Sequence, residues 1–419
     1  MQRKSKLSAF EFLNILMFTH HQGKSLSLLD LIGDLYEEFS IRLTKQSLQE
    51  RFNDGAVKFM RSVLSYLLNK QLAVEKHNGH LTRFNRVRIK DSTRFALPEQ
   101  YASAYQGYGG AIPNSKSMIT IQHEYDLITG KTMDFRLTNG LSNDQMDSRD
   151  HTHEVMENDL FIRDLGYCTI GYLKKLADHK AFFLNRLSPQ AVVYRADRPS
   201  EAIDLTACLK KMKKHNLPYL TYDVLVGSKV KIPCRLVVST VDDSTYDKRL
   251  RKTTKMAKSK GYNVSEEYKS KARLNVFITN VPEEWIPAEK VKSVYGLRWQ
   301  IELIFKVWKS QAKINNLKEM KIHRFECQLL GKIIWLLVNW KIYHWLKGTI
   351  NDNQSGYSYS VWKFYKSAFR LSHKLRAALQ CAKNAKCLMN ILKSSENQLF
   401  ALEKKNGKVS HYEILKTLA

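Results

Sequence analysis

Near residue 86 the hydrophobic period of this chain switches from helical to alternating, and that switch sets the fold class. NRVRIKDST alternates, with Val87, Ile89 and Asp91 on one face of an extended strand and Arg88 and Lys90 on the other. SMITIQHEYDLITG and KTMDFRLTN follow as a hairpin pair around Gly130. In NDLFIRDLGY, a further strand, Leu160, Ile162 and Asp164 share a face and Gly166 ends the run. TIGYLKKLADHK has the spacing of an amphipathic helix, and AFFLNRL is a fifth strand. Strands in succession, then strands punctuated by a helix, predict an α/β fold: a mixed sheet with helices on its faces.

The flanks differ in texture. Residues 1 to about 82 are helical in pattern, with LLDLIGDLYEEF, KQSLQERFN and AVKFMRSVLSYLLNK as periodic segments. The first two and the turn between them resemble a helix-turn-helix with KQSLQERF as its reading helix; a small bundle packed on the core is the equal alternative. From about 188 to 285 come alternating runs (PYLTYDVLVG, CRLVVSTV, LNVFITN) and the basic stretch from Lys248 to Arg273. That stretch reads as a solvated helical face and loop, or as a surface for phosphates. Helical patterns return over 328–347 and 357–395.

VYGLRWQIELIFKVWK, Val294 to Lys309, reads as one helix, without Pro and without Gly after Gly296. At about 100° per residue, Tyr295, Arg298, Glu302 and Lys309 fall within roughly 60° of each other. Leu297, Ile301, Ile304 and Trp308 gather opposite, as a stripe that faces a core. One face is apolar; the other carries a carboxylate among a phenol and two cations.

Charge narrows the partners. With 419 residues and a net charge of +28, the chain is long enough for several domains and basic enough to attract a polyanion, of which nucleic acid is the usual one. A membrane is the rival, but no lipid anchor or basic amphipathic tail is present. MQRKSKLSAFEFLNILMF opens like a signal peptide, yet Glu11 and Asn14 interrupt it and no small-residue cleavage site follows. Ser8 with Glu11 reads instead as a capping box. In IIWLLVNWKIYHWL, Lys332 and Lys341 bracket or break the apolar run, which predicts a buried helix and not a span. Cys168, Cys208, Cys234, Cys327, Cys381 and Cys387 show no CxxC pairing, as expected of reduced thiols in a cytoplasmic protein. The Asp150–His153 run DHTH is a weak metal pattern without cysteine partners.

Asp91 and Asp164 each close an alternating strand. If those strands are neighbours, their carboxylates converge at one edge, and Glu302 on the helix completes a triangle. Three carboxylates with few His or Cys suit a hard cation, Mg²⁺ or Mn²⁺. Two such ions activate the attacking oxygen and stabilise the leaving one in phosphodiester chemistry. Tyr295, Arg298 and Lys309 then offer donors and charge to neighbouring phosphates. Each residue also has a structural reading: Asp91 capping a turn with Ser92, Asp164 paired with Arg163 or Arg186, Glu302 with Lys306.

IKDST at 89–93, IRDLGY at 162–167 with FFLNRL at 182–187, and Y-x2-R-x3-E-x6-K at 295–309 resemble the DDE transposases of the insertion-sequence-four family. The resemblance covers roughly residues 86 to 312. It implies a ribonuclease-H-like catalytic core interrupted, before the Glu helix, by a mostly β insertion domain. The expected organisation is a helical DNA-binding region over 1–85, core over 86–187, insertion over 188–285, core with the Glu helix over 286–348, and a helical region over 349–419. It implies Asp91, Asp164 and Glu302 as metal ligands, and Tyr295, Arg298 and Lys309 as contacts to DNA near the cleaved end. Lys248, Arg249, Arg251 and Lys252 are expected on DNA as well. Some relatives place a Trp in the insertion strand about twenty residues before the Tyr, on a flipped base; here Phe277 or Trp285 stands in, or the hairpin is handled differently.

The expected function is a Mg²⁺-dependent DNA transposase, with Mn²⁺ accepted. It acts on transposon ends and target DNA, by cut-and-paste, as a homodimer at the bacterial nucleoid. The alternatives are a DNA-binding protein on a silent transposase scaffold and a ribonuclease-H-like nuclease.

Overall fold

A computed structural model describes residues 6–19, 26–69, 83–109, 115–150, 154–188, 191–227, 229–349, 357–381, 402–404 and 414. His151 to His153 of the DHTH run, the helical pattern over 70–82 and that beyond 381 lie outside the described residues.

Strand β1 (Arg86–Ala96) pairs antiparallel with β2 (Met118–Asp126) on one side and parallel with β4 (Asp159–Arg163) on the other. β3 (Thr132–Asn139) returns along β2 through the turn at Gly130, whose φ is 73°. That left-handed conformation favours glycine, and a Cβ there would also meet the His344 ring at 2.3 Å. After β4, α6 (Ile170–Asp178) crosses over to β5 (Phe182–Arg186), parallel to β4. The order β3-β2-β1-β4-β5, an antiparallel meander followed by two parallel strands, is a ribonuclease-H-like core.

The segment 188–285 joins this sheet instead of building its own. β9 (Leu274–Thr279) pairs antiparallel with the outer edge of β5, and β8 (Ile232–Thr240), β7 (Tyr219–Val226) and β6 (Val193–Arg195) continue outward to make nine strands. An open β5 edge would expose unpaired backbone groups, and β9 covers it. Expected as mostly β, the segment also holds three helices: α7 (Leu205–Lys214), α8 (Asp243–Ser259) and α9 (Glu266–Ala272). Leu173 and Leu176 of α6 and Leu209 and Met212 of α7 form one core with Phe161, Phe183, Leu236 and Ile278.

The other core lies on the sheet face where Val87, Ile89, Ile121, Tyr125, Leu160 and Ile162 point. α10 (Ala288–Gly296), α11 (Trp299–Ser310) and the long α12 (Ile322–Thr349) supply its far side. The N-terminal α1 (Ala9–Phe18) and α4 (Asp54–Asn69) pack on α12. The Ser8–Glu11 capping box is present at the start of α1. α3 (Lys45–Arg51), the expected reading helix, buries Leu48 beside α2 (Leu28–Phe39), and its Gln49 accepts from Arg324 of α12 at 2.9 Å. The apolar run in α12 is buried as expected, with Lys341 donating to the Leu67 carbonyl at 2.7 Å. Among the described residues no helix is long and apolar enough to cross a membrane.

Arg88 and Lys90, on the opposite sheet face, are buried, Lys90 against Asp147 of α5 (Asp144–Asp150) and Arg88 over the Phe161 ring. Arg88 Nε lies 2.9 Å from Glu124, and Lys90 Nζ lies 2.8 Å from Asp134 and 2.6 Å from Asp147. Arg163 reaches Glu124 at 3.2 Å. Behind the apolar face, then, the strands are held by a buried layer of charge.

Candidate active site

The β1–β4 pairing ends at Lys90↔Arg163, so Asp91 and Asp164 are the next residues on adjacent parallel strands. Asp164 closes β4 as expected. Asp91 does not end its strand: β1 runs on to Ala96 because β2 still pairs with it through Ala96↔Met118. Asp91 is thus the first residue of β1 left without its β4 neighbour, on the edge where the two chains part.

The helix facing them is two helices. Leu297 and Arg298 stay right-handed, but Arg298 N bonds Tyr295 O at 3.1 Å and Ile301 N bonds Arg298 O at 3.2 Å, an i→i−3 pattern. The junction is therefore a tightened 3₁₀ turn following Gly296, a poor helix former. The core stripe is as expected: Leu297, Ile301, Ile304 and Trp308 are buried.

Around this junction the expected residues come together. Tyr295 Oη donates to Asp164 at 3.0 Å. Arg298 Nη1 donates to Asp91 Oδ2 at 2.9 Å, and its Nη2 donates to Glu302 Oε1. Arg163, Arg186 and Lys306 make no ion pair with Asp164 or Glu302 among the described residues. Burial pushes the Asp91 carboxyl up to about 6, against the opposing pull of Arg298 and the Ser92 N–H. Burial also raises the Tyr295 phenol, with the Asp164 charge acting in the same direction.

Other expected contacts differ. Lys309 donates to the Arg94 carbonyl at 3.0 Å, and burial lowers its pKa. Arg298 is expected at a phosphate, but it also reaches the expected ion ligands. Its fork spans Asp91 and Glu302. Lys248, Arg251 and Lys252 are exposed on α8, whereas Arg249 turns inward to the carbonyls of Ala272 and Leu274 at 2.9 and 2.8 Å and to Asn275 at 2.7 Å. It ties α8 to β9 and has no free fork for DNA. Phe277 is 3% exposed and packs on the Tyr295 ring at 5.1 Å, while Trp285 packs on Phe84 and Phe182. Phe277 is thus enclosed, while Trp285 is half-buried. Trp299, directly after Arg298 in the chain, is 56% exposed. Its place in the motif stretch, off the core stripe, was the signal available in the sequence.

A family model described as a transposase DDE domain matches residues 82–338. The chain belongs to that family. The transposase is 30% identical, over 438 residues, to the transposase for insertion sequence element IS231F of Bacillus thuringiensis subsp. israelensis, covering 100% of this chain and 89% of that one. It is also 30% identical, over 437 residues, to the transposase for IS1151 of Clostridium perfringens, covering 100% and 91%. A piggyBac transposase in a synaptic complex with hairpin DNA superposes with a TM-score of 0.44 at 11% identity, covering 98% of this chain and 81% of that one, a likeness too distant to inform the site.

The family uses a divalent cation. The donors here, carboxylate oxygens only, have the chemistry for one. Among the described residues no three acidic, His or Cys side chains form a ready-made ion cluster. Arg298 lies between Asp91 and Glu302 and donates to both; the two carboxylates fit an ion once that guanidinium gives them up. The site is arranged around an internal cation.

Proposed function

We propose that this transposase cuts the ends of its own insertion sequence and joins the freed 3′ hydroxyls to target DNA by cut-and-paste. Asp91, Asp164 and Glu302 are the ligands for Mg²⁺, with Mn²⁺ accepted. The observation that supports this reading is that Asp91 and Asp164 end the β1–β4 pairing side by side and are tied to the α10–α11 junction, Asp164 through Tyr295 and Asp91, together with Glu302, through Arg298. A divalent cation bound there supplies charge to the attacking and leaving oxygens of a phosphodiester. Tyr295 holds Asp164, and Arg298 exchanges its carboxylate partners for a phosphate of the incoming end. Trp299 offers a stacking face to an unpaired base at the hairpin. The protein acts as a homodimer bridging two ends on nucleoid DNA in the cytoplasm.

The test is incubation of a labelled duplex carrying the element's end with protein and Mg²⁺. Nicking at the boundary of the element, dependent on the ion, is expected. Binding without cleavage under Mg²⁺ and Mn²⁺ would leave a DNA-binding protein on a silent scaffold. Equal cleavage of unrelated duplexes would indicate a nuclease.

Arg298→Ala is expected to lower end cleavage about tenfold or more, since a charge-assisted hydrogen bond is worth about 1.5–3 kcal/mol. Arg298→Lys should recover part of the loss, because a point charge cannot span two oxygens as the fork does. Cleavage followed across a Mn²⁺ titration checks this; full rescue of Arg298→Ala by extra Mn²⁺ would show that the arginine serves the ion site and not a phosphate.

On α8, Lys248, Arg251, Lys252, Lys255 and Lys258 are all exposed, and at about 100° per residue they share one face. Neutralising Lys248, Arg251, Lys252 and Lys255 together should flatten the salt dependence of DNA binding, by about 0.9 in slope for each phosphate that the variant no longer neutralises. Arg249→Gln should leave that slope alone. An unchanged slope in the fourfold variant would assign the face to solubility.

A further inference from the structure

We propose that Asp144 is a positioning residue for the Asp91 carboxylate, acting through Ser92; this rests on the reading of Asp91, Asp164 and Glu302 as the catalytic set. Asp144 is the first residue of α5, on the sheet face opposite to Asp91. Ser92 Oγ donates to Asp144 Oδ1 at 2.8 Å, and the Ser92 backbone N–H donates to Asp91 Oδ1, also at 2.8 Å. Successive strand residues point to opposite faces. The serine can therefore be gripped from behind while its amide holds the carboxylate in front.

The same carboxylate braces the second strand. Gln122, directly across from Ser92 on β2, donates to Asp144 Oδ1 at 3.4 Å and accepts from Tyr167 Oη at 2.7 Å. Tyr167 belongs to the turn that follows Asp164. In that turn a Cβ on Gly166 would stand 3.0 Å from Asp144 Oδ2. The glycine is what lets the turn lie against this carboxylate. Asp144 thus touches both chain segments from which Asp91 and Asp164 project, just where the β1–β4 pairing ends. The Ser92 hydroxyl donates to this carboxylate oxygen, which pins the backbone beside Asp91.

The test compares Ser92→Ala, Asp144→Ala, Asp144→Asn and the double alanine variant in the full-length protein, with Asp91→Asn in parallel. Cleavage of a labelled element end is followed across a Mn²⁺ titration, alongside end binding by gel shift and thermal unfolding. Ser92→Ala and Asp144→Ala should each slow cleavage roughly tenfold, as removal of a charge-assisted hydrogen bond implies. Each should raise the Mn²⁺ needed for half-maximal rate and leave end binding unchanged; a lowered unfolding midpoint is compatible with this, since loss of stability alone would not shift the Mn²⁺ dependence. The double variant should be no slower than the slower single one, since both break the same hydrogen-bonded chain. Asp144→Asn keeps an oxygen for Ser92 and should retain most of the rate. Wild-type cleavage and Mn²⁺ dependence in Asp144→Ala, or losses that multiply in the double variant, overturn the proposal. Should Asp144→Ala fail to fold, a wild-type profile in Ser92→Ala overturns it as well. If Asp91→Asn cleaves normally, the reading of the site fails; if it is inactive while Asp144→Ala is unaffected, only this inference fails.

Discussion

Asp164→Asn is expected to lower strand cleavage by about 10³-fold while leaving binding of the transposon end intact. Asn matches Asp in shape, and its carbonyl can still accept from Tyr295 Oη, which lies 3.0 Å from the present carboxylate. The end of β4 should therefore keep its geometry. What is lost is one negative charge from a site built to balance cations. Cation catalysis of phosphodiester cleavage is worth several kcal/mol, and each 1.36 kcal/mol is tenfold in rate. End binding depends instead on phosphates neutralised across a broad basic surface. Asp91→Asn and Glu302→Gln should be equally damaging, and each also deprives Arg298 of a partner. Single-turnover cleavage with a gel-shift control measures both properties. Near-normal cleavage by any one of the three variants would remove that residue from the site.

Glu124→Gln should cost about 3–5 kcal/mol of stability, the range for breaking a buried ion pair by removing one partner. Glu124 is 1% exposed and faces Arg88, Arg163 and, at 3.9 Å, Lys90. Arg163 has little else: its Nε and Nη1 find no hydrogen-bond partner among the described residues, and its guanidinium rests over the rings of Phe161, Tyr167 and Tyr172. Its charge would stay buried in the glutamine variant. Burial opposes the Glu124 charge, yet Arg88, Arg163 and Lys90 hold its pKa down at about 2, below the ordinary 4.5. A carboxylate depressed in the folded state contributes stability in full above its unfolded pKa, and that contribution is lost as pH falls through the folded one. The gap between wild type and Glu124→Gln should therefore be full above pH 4.5 and shrink as pH falls toward 2. Urea midpoints at several pH values test this. A gap below about 1 kcal/mol at neutral pH, the size of an ordinary net hydrogen bond, would mean that water, and not Glu124, compensates the two arginines.

This layer has a bearing on the site. Lys90 and Arg163 immediately precede Asp91 and Asp164, and they are the last pair in the β1–β4 register. The charges that lock the strands from behind thus also fix where the two carboxylates emerge in front.

Much of this was legible in the chain. The period-2 runs placed Val87, Ile89 and Asp91 on one face and Leu160, Ile162 and Asp164 on another, and both faces meet α11 as expected. The apolar stripe of α11 followed from spacing alone. These features depend on neighbours in sequence, because backbone geometry dictates which side chains share a face.

What the sequence by itself could not determine is the partner of each long polar side chain. Arg88 and Lys90 look like the outer face of a half-exposed strand until Glu124, Asp134 and Asp147 are brought against them. Arg249 is one cation among many in a basic stretch until the carbonyls of Ala272 and Leu274 arrive at 2.9 and 2.8 Å from its fork. Arg298 has the same spacing from Glu302 whether it serves a phosphate or a carboxylate. Only the docking of α11 on β1 brings Asp91 within its reach. Strand periodicity likewise does not say which edge β9 will cover, so the merging of 188–285 into the core sheet was invisible. Periodicity is written in local backbone geometry, whereas the pairing of charges and strand edges is settled by which groups, distant in sequence, the folded chain brings within hydrogen-bonding distance.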